Sequence, residues 1–279
     1  MITSSITYLK GHSGCKIFLI ENTDQGSIVR KISKDLAYNE RLKLQCEKQN
    51  CFQAPIEAIH TPKILSCGVN SDGHFFFDME YIRGKTLSEH LRDIDDNEIA
   101  NVVNKLAFSL KYSSNEANRF VQRIFIAKIN SLRQKINSPL ALEALNFLAN
   151  YDWKNFPQSP CHGDFTTENI IVSNGEIYLI DFLDSFYDSF ILDFADLLQD
   201  VQLLWHYRFE ELNTKTKRNL KLFGELLLEK ITAHNIALRD LYCALLLKLI
   251  RIYPYVKDSM TADFLDKNIK SLLHLVKTL

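Results

Sequence analysis

The chain has 279 residues, 46% apolar and 24% charged, an ordinary globular balance with enough length for one large domain or two lobes. Its 33 basic and 34 acidic residues leave a formal charge of −1, so no nucleic-acid-binding surface is expected. Six cysteines, at 15, 46, 51, 67, 161 and 243, form no C-x-x-C pair, and the eight histidines show no helical metal-ligand spacing, which excludes a disulfide framework and a zinc site as first expectations.

The opening MITSSITYLKGHSG has no basic region leading into a long apolar run, and no run approaches the roughly 20 residues that span a bilayer. A cytoplasmic protein with reduced thiols and no membrane partner is expected. In chain order, residues 6–10 and 16–21 read as short strands around GHSG (11–14), and SIVRKIS (27–33) reads as a third after the turn NTDQG. Residues 35–48 have helical character, with Asp35 near the start. KILSCGV and HFFFDMEYI, separated by NSDG, read as a hairpin. After Gly84 the pattern becomes helical. TLSEHL has the spacing of a capping box at Thr86 and Glu89, and apolar residues then recur at three and four from Ile99 to Ile129. One stretch interrupts the helices: CHGDFTTENIIVSNGEIYLIDFLD, residues 161–184, a loop followed by two strands turning at Asn-Gly. Helices resume near Asp193, and LFGELLLEKI and LYCALLLKLI read as buried members of a bundle. The coarse order is an α+β chain: a small β-rich piece with one helix, a linker near residues 81–85, and a larger helical piece with an inserted hairpin.

The hairpin should bring Asn169 and Asp181 side by side. A carboxylate and an amide oxygen, with positions open for phosphate and water, suit Mg²⁺. Asp164, close in sequence, can orient a hydroxyl and accept its proton.

HGDFTTEN followed by IDF resembles the catalytic core of the aminoglycoside phosphotransferase and choline kinase family, relatives of the protein kinases. The resemblance implies a bilobal protein kinase-like fold, with a small antiparallel β lobe carrying one helix over residues 1–83 and a mainly helical lobe over residues 84–279. The first lobe would bind nucleotide. The second would carry the catalytic loop and the acceptor site. Asp164 is then the catalytic base, Asn169 and Asp181 hold Mg²⁺ on the nucleotide phosphates, His162 braces the loop, and Asp193 anchors it through backbone N–H groups. Gly11, Ser13 and Gly14 of GHSG resemble the phosphate-covering loop, although the segment lacks the full G-x-G-x-x-G and also fits a plain turn. Alternation along IVRKI puts Val29 and Lys31 on one face and Arg30 on the other, so Lys31 is favoured over Arg30 for the phosphates. Its helical partner is expected at Glu47, with Glu40 and Gln45 as alternatives. FFFDMEYIRGKTL resembles the hinge, where the backbone of Glu80 and Ile82 would meet the adenine edge, Met79 would back the pocket or the core, and Gly84 would let the chain turn.

The resemblance implies transfer of the γ-phosphoryl of ATP, or GTP, to a hydroxyl of a small molecule. Asp181 continues as DFLDSFYDS without the glycine of D-F-G, and Asp193 follows it by only twelve positions, leaving little room to dock a peptide. Amino alcohols such as choline, aminoglycosides and sugars are the candidate acceptors. The acidic Asp184 and Asp188, with the aromatic residues from Phe182 to Tyr207, would attract a cationic one. A nucleotide-binding regulatory module without transfer activity and a protein kinase are the alternatives. A metal-dependent hydrolase built on His162, Asp164 and Asp181 would need further clustered histidines.

Overall fold

The computed structural model describes residues 5–9, 11, 14–24, 26–111 and 119–279. Contacts divide the chain into two compact units, one of residues 1–86 with 169–184, the other of residues 87–168 with 185–279.

The first unit is built on a five-stranded antiparallel sheet. Its strands are β1 (Ile6–Leu9), β2 (Lys16–Thr23), β3 (Gly26–Ile32), β5 (Ile64–Val69) and β6 (Phe75–Glu80), in the order β1-β2-β3-β6-β5. Helix α1 (Asn39–Cys51) packs against β6. Asp35 begins the preceding 3-10 turn, its carboxylate accepting from the Tyr38 N–H, which fits the preference of a short acidic side chain for a helix start. Cys15, Val29, Leu42, Cys46, Phe75, Phe77 and Met79 form the core between sheet and helix.

The same unit holds a second sheet, with β4 (Ile59–His60), β7 (Lys85–Thr86), β8 (Ile170–Ser173) and β9 (Glu176–Leu179) in the order β4-β9-β8-β7. The β8–β9 hairpin turns at Asn174 and Gly175, with φ of 51° and 80°, the left-handed pair that Asn-Gly adopts most readily. Parallel pairing of Ile59 with Ile177 ties β9 to β4. Gly84 serves this sheet by close approach: a Cβ there would lie 2.5 Å from the Val172 carbonyl oxygen.

The second unit is helical. It comprises α2 (Leu87–His90), α3 (Asp96–Leu106), α4 (Val121–Arg133), α5 (Pro139–Ala149), α6 (Phe190–Val201), α7 (Thr214–Ala233), α8 (Leu238–Ile250) and α9 (Ser259–Thr278). Caps fix the starts: Asp95, Ser138, Asn213 and Asp258 each accept from the backbone N–H three residues on, and Pro139 takes the first position of α5. Every residue of α6 is buried, and it packs on α8 and α7. Trp153 is fully buried and stacks on Phe125 with ring centroids 4.0 Å apart. Among the described residues no helix is long and apolar enough to cross a membrane.

Candidate active site

In the first unit, the strand alternation expected along β3 is realised. Lys31 is 2% exposed, and its Nζ donates to Asp181 Oδ1 at 2.9 Å. Arg30, on the opposite face, is committed elsewhere. Its guanidinium donates to both oxygens of Asp78 at 2.7 and 2.8 Å and lies 4.6 Å from the centroid of Phe76. Ser66 Oγ donates to the same carboxylate. Lys31 therefore carries the site-facing charge of this strand.

Asp181 follows β9 and takes a φ of 60°, the left-handed region that a non-glycine residue enters at a cost of about 1 kcal/mol or more. Its flanks hold it there. Ile180 N–H donates to the Asn169 carbonyl at 3.0 Å, closing the open end of the hairpin and setting the two residues side by side. On the other flank, Phe182 is buried against Phe52, Lys48 Nζ donates to the Leu183 carbonyl at 2.8 Å, and Arg41 pairs with Asp184 at 2.9 Å. Helix α1 thus pins the chain just past Asp181.

Glu47 and Glu40 lie on the exposed side of α1, so the expected partnership of Lys31 with Glu47 is replaced by that with Asp181. Gln45 is the buried one of the three. Its Nε2 donates to the Tyr38 hydroxyl, and its Oε1 is buried with no partner among the described residues.

Gly11 and Gly14 lie in the β1–β2 loop. Gly14 has a φ of 79° that favours glycine, and a Cβ on Gly11 would come 2.7 Å from Ile17 Cδ1. Ser13 lies outside the described residues. Glu80 ends β6 and its N–H already donates to the Lys63 carbonyl, whereas Ile82, past the strand, makes no backbone hydrogen bond among the described residues. Met79 belongs to the core, with Gln49 Nε2 3.5 Å from its sulfur.

The second unit carries the HGD loop. Gly163 has a φ of 94°, so the loop needs glycine there. His162 is buried, and its Nδ1 accepts from the Asp164 N–H at 3.3 Å, bracing the loop from within. Asp193, in the first turn of α6, grips the loop with both oxygens: Oδ2 accepts from His162 N–H at 2.6 Å and Oδ1 from Gly163 N–H at 2.9 Å. Burial pushes the Asp193 carboxyl up to about 7, against the pull of these two N–H groups. Asp164 is half-buried, between buried Gly163 and Phe165.

The residues read as an acidic aromatic acceptor surface are placed otherwise. Phe182, Tyr187, Phe190 and Tyr207 are core residues. Asp184 is paired with Arg41, and Asp188 accepts from the Cys161 thiol at 3.0 Å. Phe186 has cations rather than carboxylates over its ring, with Lys128 and Arg251 each 5.7 Å from its centroid. Composition alone could not separate core aromatics from a binding surface.

The donor set fits a hard divalent cation. Asp181 is about a third exposed, and its second oxygen has no partner among the described residues. Asn169 adds an amide oxygen at the adjoining strand end. Among the described residues no three His, Cys, Asp or Glu cluster to hold a metal.

An antiparallel sheet with one packed helix, an inserted hairpin ending in aspartate and a helix-anchored HGD loop define a kinase-like phosphotransferase fold. Residues 18–214 match the phosphotransferase enzyme family (APH), and the chain is a member of that family. Among curated proteins no sequence matches it. Solved structures share the fold. An aminoglycoside phosphotransferase APH(4)-Ia variant in ternary complex with ADP and hygromycin B is 14% identical, with a TM-score of 0.64, over 97% of this chain and 93% of that one. The amicoumacin kinase hAmiN, in complex with AMP-PNP, Ca²⁺ and Ami, is 16% identical, with a TM-score of 0.61, over 96% and 88%. A choline kinase from Cryptosporidium parvum Iowa II is 12% identical, with a TM-score of 0.56, over 99% and 88%.

Proposed function

We propose that the chain transfers the γ-phosphoryl group of ATP, or GTP, to a hydroxyl of a small molecule: an amino alcohol, an aminoglycoside or a sugar. The observation that carries this is the ion pair of buried Lys31 with partly exposed Asp181, which sets an ammonium suited to phosphate beside a carboxylate whose second oxygen has no partner among the described residues. The remaining N–H bonds of Lys31 have no partner among the described residues and serve the α- and β-phosphates. Asn169 and Asp181 hold Mg²⁺, which supplies neutralisation of the charge developing on the phosphoryl oxygens. Gly11, Ser13 and Gly14 cover the phosphates, and the backbone about Glu80 and Ile82 meets the base, with Ile82 the freer of the two. The nucleotide residues then belong to an N-terminal lobe of residues 1–83, and the catalytic loop and acceptor site to residues 84–279.

Asp164 orients the acceptor hydroxyl and accepts its proton as the oxygen–phosphorus bond forms and the bond from γ-phosphorus to the bridging oxygen breaks. Phosphoryl transfer asks for positioning and charge neutralisation more than covalent work, and a rigidly held Asp164 provides the first. The short run from Asp181 to Asp193 favours a small acceptor over a peptide. Pairing with Arg41 offsets Asp184, one of the two acidic groups expected to attract a cationic acceptor.

The test is a coupled ADP-release screen with Mg·ATP and Mg·GTP over amino alcohols, sugars and aminoglycosides. Acceptor-dependent release with a phosphorylated product is the expected result. Nucleotide binding without product from any acceptor would point to a regulatory module, and incorporation into protein alone would point to a protein kinase.

A further inference from the structure

Asp193, Asp196 and Asp200 are spaced by three and four on α6 and so share one face. All three meet the HGD loop, each at a different place. Beyond the grip of Asp193 on His162 and Gly163, Asp196 Oδ2 accepts from the Phe165 N–H at 3.2 Å. Asp200 Oδ2 accepts from both the N–H and the hydroxyl of Thr167, each at 2.9 Å. The attachments fall on residues 162, 163, 165 and 167, so half-buried Asp164 is held on both sides in the chain, by Gly163 before it and Phe165 after it.

Lys248 of α8 donates to Asp196 Oδ2 at 2.7 Å, and both side chains are about 95% buried, at 6% and 5% exposure. Asp196 is therefore a junction between a backbone N–H and an ammonium. Asp200 Oδ1, in contrast, is buried without a partner among the described residues. Stability alone does not account for this arrangement, because an unpartnered carboxylate oxygen inside a fully buried helix costs stability that an apolar side chain would not. What the two aspartates do provide is an acceptor for the backbone N–H of Phe165 and for that of Thr167, in the loop that carries Asp164.

We propose that Asp196, held by Lys248, and Asp200 are positioning residues that fix Asp164 through the backbone of Phe165 and Thr167. The proposal rests on the phosphoryl-transfer reading of Asp164. Misplacing a reacting group by about 1 Å costs on the order of a hundredfold in rate, so loosening these attachments should act on turnover and not on nucleotide affinity.

The experiment uses the full chain and two readouts: hydrogen–deuterium exchange across residues 161–168, and steady-state phosphoryl transfer. In Asp200→Ala, exchange at the Thr167 amide rises at least about tenfold, and kcat falls roughly ten- to a hundredfold while KM for nucleotide stays within about twofold. Asp200→Asn, which keeps an acceptor oxygen for Thr167, restores most of both. Asp196→Ala is made together with Lys248→Met, so that no buried ammonium is stranded, and raises exchange at Phe165. Unchanged loop exchange in Asp200→Ala, or an Asn variant no better than the Ala one, would overturn the proposal. If the wild type transfers phosphate to no acceptor, the phosphoryl-transfer reading fails while the exchange readout still decides whether these residues hold the loop.

Discussion

Lys31 and Asp181 are 150 positions apart in the chain and meet at 2.9 Å, an almost fully buried ammonium against a carboxylate that is one-third exposed. The contact joins the central strand of the larger sheet to the end of the β8–β9 hairpin. It holds the lysine's Nζ in place and leaves one oxygen of the aspartate without a partner among the described residues. Lys31→Met should lower kcat/KM for nucleotide roughly a hundredfold or more, the usual scale for removing a group that stabilises developing charge. Initial-rate kinetics check this, with circular dichroism confirming that the variant folds.

Arg30 separates stability from function on the same strand. Arg30→Met strips Asp78 of a two-point partner and leaves it buried with Ser66 alone. A loss of about 1–3 kcal/mol of stability is expected, from the penalty of an under-satisfied buried acceptor. Nucleotide KM should be unmoved. Urea unfolding and initial rates, measured on one preparation, test the contrast with Lys31.

Gly84→Ala should destabilise the first unit by about 1–3 kcal/mol, the range for forcing an extra carbon into a packed site. The added Cβ would sit 2.5 Å from a backbone oxygen of β8, which cannot swing aside as a side chain could. A lower urea midpoint at unchanged m-value is the expected signature.

Asp200 gives stability a pH dependence. Burial raises its carboxyl from 3.8 to about 7, in opposition to the Thr167 N–H and hydroxyl. Between those values the folded chain holds a proton that the unfolded chain has released, so this group's contribution to stability falls as pH rises through that window. Asn at this position has no proton to lose. The stability of Asp200→Asn relative to wild type should therefore increase between about pH 5 and about pH 8, measured by urea midpoints. A constant difference would mean that the carboxylate pays no burial penalty.

Local features were legible in the sequence because local physics decides them. Asn174-Gly175 announces a left-handed turn, Asp35 a helix start, and the alternation of Val29, Arg30 and Lys31 assigns their faces. The HGD loop and the hairpin ending in IDF were legible as elements for the same reason: each is continuous in the chain. What stayed hidden depends on distant segments. Nothing in Ile59-His60 foretells parallel pairing with β9, and nothing in Arg41 foretells Asp184. The spacing of Glu47 from Lys31 suggested a partnership that the helix phase denies, since it is Gln45 that faces inward. Asp196 and Asp200 look like solvated helix charges until the total burial of α6 is known.

In the proposed reaction Asp164 receives the acceptor's proton during transfer from Mg·ATP. Single-turnover phosphoryl transfer by Asp164→Asn, beside Mg-dependent nucleotide binding by calorimetry, tests it most directly. Binding should persist while the transfer rate drops by roughly a hundredfold or more, the scale of a lost general base. Transfer at the wild-type rate would contradict the assignment.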